Sequence, residues 1–389
     1  MSIVQSIGLL LVAIPVVVFA YAYFLYPAIL WVISRRNPWL PPAGAPPEWP
    51  PITIVLPVYN EEKVIRSTLE SLLAIDYPEN KRQILVLSDC STDGTHDIVR
   101  EYVDRGVVLV ALPERRGKTA AENESARHAT GSIVINTDAT THILPDSVKP
   151  LVNVFRDESV GVASGRDVSA GIGTVEANRA ESGYVGYEMW VRDLETRAGS
   201  IVGASGCFMA IRRSLFDQLF PEALSRDFAS PLLARRAGFR AVSVPLALAL
   251  VPRARSLKVE FRRKTRTMAR GIETLWFLRS MMHLSKYGRF AWMLWSHKAA
   301  RWYGFLTAPL GLLGLALLAP GSVVAQYLLL AAVLALAVGA LAFAWPEGRR
   351  IPRLLASAGY LVGASAAAII AWGKALRGER NPIWEPTRR

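Results

Sequence analysis

Three short stretches carry side chains whose types and placement could handle a phosphorylated substrate. Ser88-Asp89-Cys90-Ser91-Thr92-Asp93-Gly94 follows the apolar run Gln83 to Leu87. Such a run, ending abruptly in small and acidic residues, reads as a buried strand leaving through a turn into a helix, here Thr95 to Tyr102. Asp89 then stands at the carboxyl edge of a strand, where open α/β sheets bind ligands, and can accept hydrogen bonds from a base or ribose. Gly117-Lys118 opens another helix, whose N-terminal N–H groups favour phosphate. Asp138 follows the apolar run Ser132 to Asn136, where a carboxylate can hold a divalent ion that bridges phosphates. Hard oxygen donors of this kind select Mg²⁺ or Mn²⁺. Plainer readings exist for each: Asp89 as a turn or cap residue, Lys118 as a solvated charge.

The elements that position these groups alternate. Ile52 to Pro57 reads as a strand, and Glu61 to Ala74 carries a helical pattern through Val64, Ile65, Leu69, Leu72 and Leu73. The run before Asp89 and its helix follow, then a strand at Val107 to Val110, a helix at Thr119 to Ala129, and the strand before Asp138. Strands alternating with helices predict a parallel sheet covered on both faces. This soluble α/β domain is expected over 52–255.

Apolar segments flank it. Residues 1–36 read as an N-terminal transmembrane helix, uncharged from Ile7 to Ile33 and followed by Arg35-Arg36, which places the next domain in the cytoplasm. Tyr21, Tyr23, Tyr26 and Trp31 fit an interfacial belt. A Pro-rich stretch, 37–51, is a stiff linker. Residues 256–301 mix arginine with Trp276, Phe277, Trp292 and Trp295, as amphipathic helices lying in a membrane interface do. Trp302 to Ala319, Val323 to Trp345 and Leu354 to Trp372 form a transmembrane region over 302–373, before a basic tail over 374–389 that includes Lys374, Arg377, Arg380, Arg388 and Arg389. Three spans would put that tail outside, against the positive-inside tendency, so either one segment is re-entrant or interfacial or the rule fails here.

The formal net charge is +13, and the basic residues crowd beside the apolar segments, which fits anionic lipid headgroups rather than nucleic acid. Two cysteines, Cys90 and Cys207, give no disulfide framework.

In their order and spacing, the motifs resemble family 2 glycosyltransferases, the inverting GT-A type, in the membrane-integrated branch of cellulose synthase and poly-N-acetylglucosamine synthase. Ile54 to Glu62 resembles the opening motif. Leu85 to Thr95 resembles the nucleotide loop, with Ser88 and Cys90 where Asp and Gly are common. Gly117-Lys118 and Asn123 match the basic loop and its helix. Gly203 to Arg213 resembles the segment lining donor sugar and acceptor, through Gly203, Ser205 and Gly206. Leu224 to Phe228 stands where the family carries its catalytic carboxylate, and Arg263 to Thr267 where processive members have Gln-x-x-Arg-Trp. Two departures matter. The family's Asp-x-Asp is Asp138-Ala139-Thr140 here, leaving His142 or waters to complete a metal's coordination, and Thr267 replaces the Trp that would stack on a growing chain.

The resemblance implies a GT-A, Rossmann-like domain in the cytoplasm, anchored in the inner (plasma) membrane. It implies a nucleotide sugar, UDP-linked, as donor, with Tyr59, Glu61 and Asp89 on the uridine side. Lys118, with Asp138 and its ion, would hold the diphosphate. Asp227 would be the general base, just ahead of a helix beginning near Ser230, and Arg263 and Arg266 would steady the leaving group. The acceptor would be a saccharide or a lipid-linked sugar in cell-surface polysaccharide synthesis, with export or synthase subunits as partners. Two alternatives remain open at this point: a single-addition enzyme acting on a polyprenyl phosphate or lipid, and a non-catalytic nucleotide-binding partner of a synthase.

Overall fold

The computed structural model describes residues 2–36, 38–170, 177–252, 256–346 and 351–379. Arg380, Arg388 and Arg389 of the expected basic tail lie outside them.

Among the described residues, eight strands form one sheet: β1 (Ile52–Val58), β2 (Arg82–Ser88), β3 (Val107–Ala111), β4 (Ile133–Thr137), β5 (His142–Ile143), β6 (Val160–Ala170), β7 (Phe208–Arg212) and β8 (Arg240–Pro252). Their spatial order is β3-β2-β1-β4-β7-β6-β8-β5. β3, β2, β1 and β4 run parallel, which places the ends of β1, β2 and β4 on one edge. β7 then pairs antiparallel with both β4 and β6, so the sheet is mixed rather than all-parallel.

Alternation along the strands sends their side chains into two cores. Ile54, Leu56, Ile84, Val86, Ile133 and Ile135 pack on one face against Ile65, Leu69 and Leu72 of the helix Ile65–Leu73. Val55, Leu85, Leu87 and Val134 pack on the other against Ala121, of the helix Lys118–Ser125. Burial on both faces explains why these strands read as continuous apolar runs. The first helix begins at Ile65 rather than Glu61, because Glu61 to Val64 make a turn in which the Glu61 carbonyl accepts from the Val64 and Ile65 N–H groups.

Among the described residues, four helices are long and apolar enough to cross a membrane: Ile3–Arg36, Arg289–Gly321, Val323–Ala344 and Leu354–Leu376. The second starts well inside the stretch expected to lie as interfacial helices. Ahead of it the amphipathic Leu257–Phe277 is one continuous helix, covered along one side by Ala371, Trp372 and Ala375 of the last apolar helix.

The first two apolar helices are tied to the sheet domain by a buried polar cluster. His297 sets its Nδ1 at 2.6 Å from Glu195 and its Nε2 at 2.9 Å from Glu188, both on the helix Ala177–Ala198. Tyr26 donates its hydroxyl to Glu195 at 2.6 Å, and Arg301 donates to Glu188 at 2.8 Å. Tyr26 is therefore wholly buried and not part of an interfacial belt. Its polar tip has found a carboxylate inside the protein instead of water. Burial raises the pKa of Glu188, but His297, Lys298 and Arg301 outweigh it and hold the carboxyl well below the ordinary range.

Candidate active site

At the end of β2 the chain turns sharply. Cys90 sits at φ 62°, in the left-handed region that disfavours a side chain. Asp89 is buried, and its two carboxylate oxygens accept from the backbone N–H groups of Arg116 and Gly117, each at 2.8 Å. Asp89 thereby clamps the loop that delivers Lys118. Gly117 needs its freedom here, at φ 98°, to present its N–H to Asp89 and start the helix one residue later.

Lys118 is the hub. Its ammonium donates to Asp138 Oδ1 at 2.6 Å and to the Gly206 carbonyl at 3.1 Å, and lies 3.9 Å from Glu122. Burial pulls its pKa down, yet Asp138 and Glu122 outweigh burial and the ammonium ends above the ordinary lysine value. Glu122 is buried one helical turn on, 3.3 Å from the Arg226 guanidinium. Its pKa is raised, by burial first, although Lys118 and Arg226 oppose the rise.

Asp227 approaches from the other side. It lies in the first turn of the helix Arg226–Arg236, which starts earlier than the sequence suggested and runs through Pro231. Proline has no N–H, so the carbonyl four residues back, that of Asp227, has no helical donor. The Ala204 N–H supplies one at 3.2 Å, joining Asp227 to the Gly203–Gly206 segment. The Asp227 side chain accepts from the Ser225 hydroxyl. A Cβ on Gly206 would stand 3.1 Å from Asp227 Oδ2, so glycine lets the carboxylate approach this segment. Ser205 is fixed in turn, donating to Asp167 at 2.6 Å and accepting from the Cys207 and Phe208 N–H groups. Gly203 lies against the Lys298 stem, 3.0 Å from where its Cβ would be. Lys118, Asp138 and Asp227 thus converge on Gly206.

Glu61 is buried at the end of β1, its N–H donating to the Thr95 hydroxyl at 2.9 Å. The Tyr59 ring is half-buried under the Arg115 guanidinium, 3.8 Å from its centroid. Arg263 spends two hydrogen bonds on Glu260 of its own helix, at 2.8 and 2.9 Å, and Arg266 is half-buried one turn further along. Arg270 of this helix reaches the site segments. It donates to the Thr119 hydroxyl at 2.8 Å and the Leu224 carbonyl at 2.6 Å. Arg270, Glu122 and Arg226 were missed from sequence. Glu122 had a signal in its place four residues after Lys118, and Arg270 in sharing a helix face with Arg263 and Arg266.

Among the described residues no three His, Cys, Asp or Glu side chains gather to hold a metal. His142 belongs to β5, paired with Leu250 of β8. Asp138, paired with Lys118 and on its side of Gly206, is the carboxylate placed to meet an ion there. That donor set does not make an all-protein metal centre. It fits an Mg²⁺-like ion held by one carboxylate, water and a substrate's phosphates.

A mixed α/β sheet with charged groups gathered at its carboxyl edge is the architecture of a GT-A glycosyltransferase. Residues 53–220 match the model of glycosyl transferase family 2. It is 30% identical over 232 residues to an N-acetylglucosaminyltransferase of Mesorhizobium japonicum, covering 54% of this chain and 52% of that one. It is 27% identical over 212 residues to the poly-beta-1,6-N-acetyl-D-glucosamine synthase of Staphylococcus aureus, covering 52% and 50%. The chain thus spans about half the length of these curated relatives. Among solved structures it is similar to the mannosyltransferase PcManGT of Pyrobaculum calidifontis in complex with GDP-Man and Mn²⁺. That match has a TM-score of 0.72 and 25% identity, covering 95% of this chain and all of that one.

Proposed function

We propose that this chain is a membrane-bound inverting glycosyltransferase that moves a sugar from a nucleotide sugar to a saccharide or lipid-linked acceptor. The observation that carries this reading is the convergence of Lys118, Asp138 and Asp227 on Gly206 at the sheet's carboxyl edge. A cation and a carboxylate beside the Gly117–Lys118 helix start suit a diphosphate, and a second carboxylate across Gly206 suits an acceptor hydroxyl.

In this reading Asp227 accepts the proton of the acceptor hydroxyl as its oxygen bonds to the anomeric carbon from the face opposite the leaving group. The carbon–oxygen bond to the diphosphate breaks with its electron pair, and a nucleoside diphosphate departs. Lys118 receives the growing phosphate charge, releasing Asp138 from its ion pair. Bound at Asp138, Mg²⁺ or Mn²⁺ would neutralise further charge on that leaving group. Asp89 acts by holding the Arg116–Gly117 backbone in place. Tyr59 and Glu61 border the nucleoside side, Arg263 and Arg266 would steady the leaving group, and Arg270 braces the Thr119 and Leu224 segments. The four apolar helices support anchorage in the inner membrane, and Arg35-Arg36 support a cytoplasmic catalytic domain.

A UDP-linked N-acetylhexosamine is the first donor to test, since the bacterial relatives are named for N-acetylglucosamine. GDP-mannose is a second reading, favoured by the near full-length likeness to the mannosyltransferase. A panel of nucleotide sugars, read by nucleoside diphosphate release from the purified full-length protein, decides between them. Release from no donor, with and without added membrane lipid and oligosaccharide acceptors, would refute the catalytic reading.

A further inference from the structure

The helix Lys118–Ser125 carries more than the ammonium at its start. Thr119 donates to the Leu224 carbonyl at 3.0 Å. Asn123 holds both backbone groups of Phe220, accepting from its N–H at 3.2 Å and donating to its carbonyl at 2.7 Å. Glu122 shares a helix face with these two residues. Its Oε1 stands 3.9 Å from the Lys118 ammonium and its Oε2 3.3 Å from Arg226 Nε. One short helix therefore fixes both the cation on the donor side and the segment that leads into Asp227.

Arg226 directly precedes Asp227 in the first turn of its helix. Its guanidinium is buried against the rings of Phe216 and Phe220, 4.7 and 4.4 Å from their centroids, and donates to Asn123. Glu122 is buried as well. Two apolar side chains of the same size would serve the fold about as well as this buried ion pair, since the loss of hydration offsets the attraction. What they would lack is direction. A carboxylate holds the guanidinium, and with it the turn that carries Asp227, at a set place relative to Lys118. We propose that Glu122 is a positioning residue, which acts through Arg226 to set Asp227 against Gly206 at a fixed distance from the Lys118 ammonium. This rests on the reading of Asp227 as the base.

The test is a double-mutant cycle on the purified full-length protein. Transfer is measured at saturating donor, UDP-N-acetylglucosamine or GDP-mannose as the screen selects, and affinity for UDP or GDP by calorimetry. Glu122→Gln keeps the side chain's shape and removes its charge. Transfer should slow about tenfold, the cost of displacing a base by roughly half an ångström. Affinity should hold or tighten, because a negative charge beside the phosphate-binding ammonium is gone. In the Asp227→Asn background the same substitution should cost nothing further, since an absent base cannot be misplaced. A second loss of the same size in that background would overturn the coupling to Asp227. So would transfer at the wild-type rate by Glu122→Gln, or affinity that falls in step with its rate. Wild-type transfer by Asp227→Asn alone would refute the base itself, and the proposal with it. Glu122→Leu with Arg226→Met guards against misfolding around an unpaired arginine. This variant should melt as the wild type does and transfer as slowly as Glu122→Gln. Wild-type transfer by it would assign the pair to packing alone and overturn the proposal.

Discussion

Gly206→Ala perturbs the placement of Asp227 while keeping the Gly206 carbonyl that accepts from Lys118. Gly206 does not occupy the left-handed region, so its backbone accepts alanine. The added Cβ would stand 3.1 Å from Asp227 Oδ2, closer than ordinary van der Waals contact, so the carboxylate must retreat by a few tenths of an ångström. The Ser225 hydroxyl on the other oxygen opposes that movement. A side chain turned slightly off its rotamer costs about 1 kcal/mol, so the fold survives. Misplacing a reacting group by 1 Å costs about a hundredfold in rate, and a general base contributes about 10²–10⁴-fold. A retreat of this size should slow transfer about three- to tenfold, with the affinity for the nucleoside diphosphate unchanged. Transfer is measured at saturating donor, and affinity by calorimetry. A rate within twofold of wild type in a folded variant would refute the assignment of Oδ2 to the reacting hydroxyl. An equal loss of nucleotide affinity would place Gly206 on the donor side alone.

Chelator should abolish transfer by the wild type, and Asp138→Asn should do the same in the presence of Mg²⁺ or Mn²⁺; full activity in chelator would remove the ion from the scheme. Cys90→Gly should raise stability by about 0.5–1 kcal/mol, since glycine adopts the φ of 62° without strain, and a lower melting temperature would mean the thiol's packing outweighs its backbone. Glu188 is held well below its ordinary pKa, so its contribution is full above the ordinary carboxylate range and is lost as pH falls through the folded value. Glu188→Gln should therefore lower stability at neutral pH and flatten the acid limb of the stability curve, whereas a parallel acid limb would deny the coupling to His297, Lys298 and Arg301.

The parallel half of the sheet was legible because β1, β2 and β4 are buried on both faces, leaving uninterrupted apolar runs that end in Asn60, Asp89 and Asp138. The antiparallel half was not. Val160 to Ala170 is built of small and polar residues, and strand direction leaves no mark on alternation. Pro231 misled in the same way: a proline inside a helix argues for a later start, yet here it frees the Asp227 carbonyl for Ala204. Tyr26 looked like a belt residue because its partner, Glu195, is 169 residues away. Arg270 escaped notice because a cationic helix face looks alike whether it meets lipid or carbonyl oxygens.

The central claim, a single carboxylate base across Gly206 from the diphosphate site, is tested most directly by Asp227→Asn. The variant keeps the side chain's shape and leaves Asp89, Lys118 and Asp138 in place. With the donor identified by the screen, nucleoside diphosphate affinity and the rate of transfer at saturating donor are measured on the same preparation. The account predicts unchanged affinity and a rate lower by about 10²–10⁴-fold. Turnover within a few-fold of wild type, or affinity that collapses together with rate, would contradict it.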